Sequence, residues 1–207
     1  NMTAIEEAAR ISAVEASANG ICWTFSPMVD IARDARWGRI AEGAGEDPWL
    51  GAQIAKAYVR GYQGDLSENT DILACMKHYA LYGASDGGKD YNTVDMGRQR
   101  MFNVYMPPFK AAVEAGVGSV MSAFNEVDGI PAGANKWLLT DVLREEWGFD
   151  GFVITDWLQT RSTEKAALAG LDVSMPGGEE CGFGRPLLDA VRDGRVPESV
   201  IDDKVRR

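Results

Sequence analysis

The chain has 207 residues, 45% hydrophobic and 25% charged, and its 31 Asp and Glu against 21 Lys and Arg give a formal charge of -10. That length and composition exclude a disordered segment and allow one domain with a sizeable core. The acidic balance argues against nucleic acid and anionic membrane as partners and favours a neutral ligand.

In chain order, Met2 to Ala18 sets Ile5, Ala8, Ala9, Ile11 and Val14 among Glu and Arg, the spacing of an amphipathic helix, and Asn19-Gly20 is a helix stop. Ile21 to Ser26 reads as a buried strand broken at Pro27. From Pro27 to Pro48 there is no period but many charges, among them Asp30, Arg33, Asp34, Arg36, Arg39, Glu42, Glu46 and Asp47. A long loop of this kind in a compact domain is usually functional. Trp49 to Gln63 returns to helical spacing. Ile72 to Met76 is an apolar strand followed at once by Lys77-His78-Tyr79, and a Gly-rich loop runs from Gly83 to Tyr91. A helix is expected from Gln99 to Gly116, interrupted near Pro107-Pro108. Gly118 to Phe124 is a third strand ending in Asn125-Glu126, and Trp137 to Trp147 is a helix. Phe152 to Thr155, bulky or β-branched and uncharged, reads as a fully buried parallel strand stopped by Asp156 and Trp157. Thr160 to Leu171 is helical, Leu171 to Met175 is a fifth strand, and Leu187 to Arg192 and Val200 to Arg206 are closing helices.

Short apolar strands alternating with helices imply a parallel α/β sheet. Polar residues recur at the strand ends, which favours a (β/α)8 TIM-barrel-like domain over a doubly wound sheet with a single switch point. About five strands are counted where a closed barrel requires eight. Residues 1–207 are therefore expected to hold an incomplete barrel, with early strands lying outside the chain or supplied by a partner.

The strand ends bring forward Asp156, Lys77, His78 and Glu126, with Arg39 from the long loop. A carboxylate facing cations stays ionised and suits a nucleophile or an electrostatic stabiliser. Lys77 and Arg39 donate hydrogen bonds without accepting them and suit sugar hydroxyls. Each has a plainer reading: Asp156 as the N-cap of the next helix, Lys77 paired with a core carboxylate, His78 as a hydrogen-bonded core residue, and Arg39 tying down its own loop. A Ser-His-Asp triad would have to use His78, the only histidine, and no Gly-x-Ser-x-Gly elbow is present. Cys22, Cys75 and Cys181 are widely separated and read as mostly buried thiols; with one histidine they offer too few ligands for zinc. Gly43-Ala-Gly45 precedes Glu46-Asp47, which would repel a pyrophosphate. No metal or organic cofactor is expected. No run reaches the roughly 18 apolar residues of a membrane span, and Asn1-Met2-Thr3 lacks the basic start and apolar core of a signal peptide.

Five ordered motifs resemble glycoside hydrolase family 3. They are Ser26 to Arg39 with Gly45-Glu-Asp-Pro48, Lys77-His78-Tyr79, Ser119 to Asn125, Trp147 to Trp157, and the Tyr82 to Asp95 loop, which is similar to that of periplasmic bacterial β-glucosidases. The resemblance implies the barrel domain of a retaining exo-β-glycosidase, with β-glucosidase first and β-xylosidase as the alternative. In it Asp156 forms the glycosyl-enzyme, Arg39, Lys77 and His78 hold sugar hydroxyls, and Met121 and Trp157 line the first subsite. The family usually takes its acid from a domain C-terminal to the barrel, and that domain and the early strands are not in this chain. Glu126, Glu179 and Glu180 do not stand where the family places the acid. Phe124 departs from a Tyr that many members carry, which implies either an altered Asp156 carboxyl or replacement of that hydroxyl by a tyrosine of the Lys89 to Asn92 loop. The family also implies a periplasmic or extracellular location. An aldolase using Lys77 as a Schiff base and a non-catalytic sugar-binding module are the readings from other classes. Oligomeric state stays open, a homodimer included.

Overall fold

In the computed structural model, which describes residues 1–207, helix α1 (Met2–Ala18) stops at Asn19, and Gly20 takes a φ of +77°, a left-handed bend that glycine adopts at little cost. Helix α2 (Pro48–Gln63) is capped by Asp47, whose side chain accepts the Leu50 N–H at 2.9 Å. Pro48 fits the first turn because its missing N–H removes no helical bond there. The two helices cross at Gly61, where a Cβ would stand 2.4 Å from the Glu6 carbonyl oxygen, so only glycine lets the backbones approach this closely.

Strand β1 (Cys75–Tyr79) pairs in parallel with β2 (Ser119–Ser122). A short hairpin of β3 (Glu126–Val127) and β4 (Ile130–Pro131) follows, and β5 (Phe152–Thr155) lies parallel on the other side of β2. The ladder widens at both edges. The Thr24 N–H donates to the Leu73 carbonyl at 2.9 Å, and the Thr155 N–H donates to the Val173 carbonyl at 3.0 Å. Five parallel lines thus follow one another in chain order, as expected, but the outer two are held by isolated bridges at Trp23, Met28 and Val173 and not by continuous strands. Neither proline can donate to a ladder: Pro27 interrupts the first outer line between its Trp23 and Met28 bridges, and Pro176 stands where the other ends. The sheet is parallel and open; it does not close into a barrel within these residues.

Alternation decides the two faces. Met76, Val120 and Val153, in register across β1, β2 and β5, point into a core shared with Ala55 and Val59 of α2. Phe109 of the helix Pro107–Glu114 and Leu139 and Val142 of the helix Trp137–Glu146 complete that core. Cys75, Met121 and Ile154 point to the opposite face and pack with Trp23 and Met175. Helices therefore cover one side of the sheet, and the other side carries the residues that lead up to the strand ends.

The helix expected from Gln99 breaks earlier than anticipated. A turn α3 (Arg98–Arg100) passes into a wide π-type stretch Met101–Tyr105, where the Met106 N–H reaches back to the Met101 carbonyl at 2.9 Å, and α4 (Pro107–Glu114) restarts with its prolines in the first turn. Trp137–Glu146 is likewise π-type. Helices α5 (Thr163–Ala169), α6 (Arg185–Arg192) and α7 (Glu198–Arg206) complete the chain. The cysteine reading is corrected: Cys75 is buried, but Cys22 is exposed and Cys181 half-buried, and all three are free thiols. No helix is long and apolar enough to cross a membrane.

At the amino end of the sheet two buried polar groups tie the layers together. The Gln63 side-chain carbonyl accepts from the Ala74 and Gly118 N–H groups at 3.0 and 2.9 Å, satisfying backbone donors that the ladder leaves over. Asp172 receives Arg144 at 2.6 Å and the Val153 N–H at 2.7 Å, with the Lys204 ammonium at 4.0 Å.

Candidate active site

Asp156 follows β5 directly and its side chain is 16% exposed. It does not cap the next helix: α5 starts at Thr163 with Ser162 as its N-cap residue. Its Oδ1 accepts the Trp157 N–H at 2.7 Å, and the loop is pinned on both sides. The Leu158 N–H donates to the Met175 carbonyl at 2.9 Å, while buried Gln159 accepts the Ser122 hydroxyl at 3.0 Å. Gly133 makes room for that glutamine, since a Cβ there would stand 2.3 Å from its Oε1. No Lys or Arg pairs with Asp156. Its recorded ionic neighbour is His78, whose Nε2 stands 3.5 Å from Oδ2.

His78 comes from β1. The ladder between β1 and β2 slips between Met76 and Tyr79, so the strand expected to end at Met76 runs on irregularly through Lys77 and His78. Such a bulge re-aims side chains at a strand end. His78 is 1% exposed. Its backbone N–H and its Nδ1 both meet Asp30 Oδ2, at 2.9 and 2.8 Å. The plain reading of His78 as a hydrogen-bonded core residue is therefore correct for one ring nitrogen, while the other faces Asp156. Asp30 was only one charge among several in the sequence of the long loop. The signal that would have singled it out is its place as the one acid in the apolar run Met28 to Ala32, a run hydrogen-bonded to β1 through the Val29 N–H and the Lys77 carbonyl at 2.8 Å.

Arg39 forms a fork with Glu42 at 2.7 and 2.8 Å and lies over the Tyr82 ring, 5.6 Å from its centroid. The loop-tying reading of Arg39 is thus also met. That fork, with the more distant charge of Lys77 behind it, holds the Glu42 carboxyl below its usual range, and Glu42 in turn raises Arg39. Tyr82 was not singled out as a site residue by the sequence. It is fully buried and touches the His78 ring at 5.1 Å, the Trp37 ring at 5.2 Å and the Phe124 ring at 5.8 Å. Burial, then the nearby Asp90 carboxylate, push its phenol well up. Tyr91, from the Lys89 to Asn92 loop, packs edge-on against Phe124 at 5.0 Å.

Lys77 has no carboxylate within ion-pair distance, so the core-pairing reading fails for it. Met121 is buried on the uncovered face of the sheet, beside Cys75, whose thiol burial pushes up to about 12. Trp157 is exposed beside Asp156. Glu126 is not drawn in: it is exposed, and its backbone carbonyl accepts the Val94 N–H at 2.8 Å. Glu179 pairs with Arg185, and Glu180 is exposed. No three His, Cys, Asp or Glu side chains converge as metal ligands would.

The whole of residues 1–207 matches the glycosyl hydrolase family 3 N terminal domain. The chain belongs to glycosyl hydrolase family 3. A periplasmic beta-glucosidase of Salmonella typhimurium is 41% identical over the full chain, which spans 28% of that relative's length. A beta-xylosidase of Formosa agariphila is 43% identical over 73% of the chain and 22% of its own length. Among solved structures, the beta-glucosidase of Listeria innocua superposes with a TM-score of 0.94 at 40% identity, over 99% of this chain and 30% of that one, and has been determined with glucose and, as a mutant, with laminaribiose. Family 3 membership accounts for the ordered motifs at Arg39, Lys77-His78 and Asp156, and the family 3 relatives are all several times longer than this chain.

Proposed function

We propose that the complete protein is a retaining exo-β-glucosidase that removes terminal non-reducing β-D-glucosyl residues through a covalent glycosyl-enzyme on Asp156. The observation that carries this reading is Asp156 itself: a carboxylate held at the end of a parallel strand, free of any Lys or Arg partner, and facing His78 at 3.5 Å. Its oxygen would bond to the anomeric carbon while the glycosidic C–O bond breaks and the leaving oxygen takes a proton from a second carboxyl. Water would then release the sugar, returning the proton to that carboxyl.

Retention needs the second carboxyl about 5 Å from the nucleophile. Glu126, Glu179 and Glu180 do not contact Asp156, so we assign the acid to a domain outside residues 1–207. By the same reading, residues 1–207 are the greater part of a (β/α)8 barrel whose uncovered sheet face, with Met121 as floor, becomes the barrel interior. Trp157 walls the first subsite, and Arg39, Lys77 and His78 hold sugar hydroxyls. Likeness to the Salmonella protein favours a periplasmic location. The Schiff-base aldolase reading loses its ground with family membership.

The test is a 2-deoxy-2-fluoro-glucoside with the complete protein, followed by peptide mass spectrometry, since this reagent slows breakdown of the intermediate more than its formation. A label on Asp156 is expected. A label on another residue would overturn the assignment, and label only from the corresponding xyloside would favour the β-xylosidase reading that the Formosa relative supports.

Arg39→Lys is expected to be costly although it conserves charge, because lysine cannot form the fork to Glu42 or lie flat on Tyr82. Lysine can keep one contact to Glu42, and losing the other charge-assisted bond, about 1.5–3 kcal/mol, corresponds to a fall of about 10- to 100-fold in kcat/KM. Steady-state kinetics on an aryl β-glucoside measures it, and an unchanged kcat/KM would remove Arg39 from the site.

A further inference from the structure

We infer that Asp30 is the positioning residue of the site and acts through His78. The inference rests on the hydrolase reading above but on different atoms. A buried carboxylate in an apolar stretch is expensive unless it is well bonded. Asp30 is 1% exposed, its Oδ2 accepts two hydrogen bonds, and its Oδ1 has no partner. Such an arrangement is poor as a device for stability, because half of the carboxylate is left unsatisfied. Both bonds that it makes go to one residue.

Those two bonds fix different things. The His78 backbone N–H can only donate, so Oδ2 is an acceptor in that bond; the same oxygen then takes the Nδ1 proton. Nδ1–H is thereby fixed as the tautomer, and the ring plane is set by contacts from two sides. Asp30 holds one edge at 2.8 Å, and the Tyr82 ring lies edge-on to the imidazole at 5.1 Å. Nε2 is left as the nitrogen that faces Asp156 Oδ2, at 3.5 Å. That gap is longer than a hydrogen bond and leaves Nε2 able to engage a sugar hydroxyl beside the nucleophile.

The carrier of Asp30 is equally constrained. Its strand is bonded to the bulged stretch that bears His78, through the Val29 N–H to Lys77 carbonyl bond at 2.8 Å and the Lys77 N–H to Pro27 carbonyl bond at 3.0 Å. A Cβ at Gly43 would crowd the Asp30 carbonyl oxygen at 3.0 Å. Asp30 and His78 are thus registered to each other by backbone before their side chains meet. An outer partner of this kind typically matters by about 10- to 100-fold where it orients an imidazole.

The experiment is a double-mutant cycle in the complete protein with Asp30→Asn, His78→Ala and both together, read as kcat/KM on an aryl β-glucoside and accompanied by thermal unfolding. Asn keeps one oxygen that can accept both bonds but removes the negative charge that holds the Nδ1 proton, and it sets an amide NH2 where Oδ1 has no partner. Asp30→Asn is expected to lower kcat/KM by about 100-fold, and to have no further effect once His78 is alanine. Effects that multiply would show that Asp30 acts independently of His78 and would overturn the inference, as would an Asp30→Asn enzyme within about threefold of wild type. Where Asp30→Asn fails to fold, Asp30→Ser, a smaller acceptor, carries the same cycle. Absence of turnover in the wild-type protein overturns the hydrolase reading and this role with it, whereas turnover without coupling overturns the role alone.

Discussion

Asp156→Ala in the complete protein is expected to lower kcat/KM for an aryl β-glucoside by at least about 10⁴-fold, the scale on which loss of a covalent nucleophile is felt, and about 5 kcal/mol of barrier. The fold should be unaffected. Asp156 caps no helix and pairs with no Lys or Arg, and the Leu158 N–H and the Gln159 side chain hold the loop independently of its carboxylate. Equal thermal unfolding of wild type and variant would confirm that the lost rate is chemistry. The space left by the carboxylate gives a sharper readout. Azide should enter there and attack the anomeric carbon of an activated β-glucoside from the nucleophile's side, giving an α-glycosyl azide whose anomeric configuration is opposite to the substrate's. An unchanged rate, or a β-configured azide product, would remove Asp156 from the nucleophile's role.

Much of this site was legible in the sequence because barrel-type chemistry is written at strand ends, and strand ends are easy to find. Phe152 to Thr155 is bulky, uncharged and bounded by a glycine and an acid, so Asp156 stands out without any structure. The parallel order of five sheet lines followed from the same alternation of apolar runs and helices. What could not be read was contact across the chain. Asp30 is separated from His78 by a helix and two loops, and although its apolar neighbours set it apart from the half-buried Asp34, which is tied to Arg36, they do not say which residue it meets. Tyr82 was invisible for a similar reason: its burial is produced jointly by Trp37, Phe124 and Arg39, which come from three separate segments. The ladder slip at Lys77 and His78 and the π-type turns at Met101–Tyr105 and Trp137–Glu146 were missed because apolar spacing does not distinguish 3.6 residues per turn from a locally wider helix, nor a regular strand from one with an inserted residue.

Asp172 should matter as much for stability as Asp156 does for turnover, and its pH dependence should run against the usual direction. It lies where β5, the Gly170 turn and α7 meet, and its carboxylate is shared among Arg144, Lys204 and the Val153 N–H. Burial, the largest cause, holds the carboxyl above its ordinary value even against the pull of Arg144, and burial likewise lowers Arg144 and Lys204. Desolvation therefore outweighs attraction in assembling the cluster, which is common for buried pairs, yet breaking it leaves two cations with only the more distant Asp203 as counter-charge. Asp172→Ala is expected to destabilise by about 3–5 kcal/mol, seen in calorimetry as a large drop in the unfolding temperature of this domain. Asp172→Asn should lose less, since its amide oxygen can still accept the Val153 N–H. The sign with pH follows from the raised value. The folded state keeps the Asp172 proton to higher pH than the unfolded chain does, so between the ordinary carboxylate value and the raised one the folded form binds more protons and stability from this group falls as pH rises. The difference in unfolding free energy between wild type and Asp172→Asn, followed upward from mildly acidic pH, should therefore shrink through the window; a difference that grows would mean that attraction to Arg144, and not burial, governs the cluster.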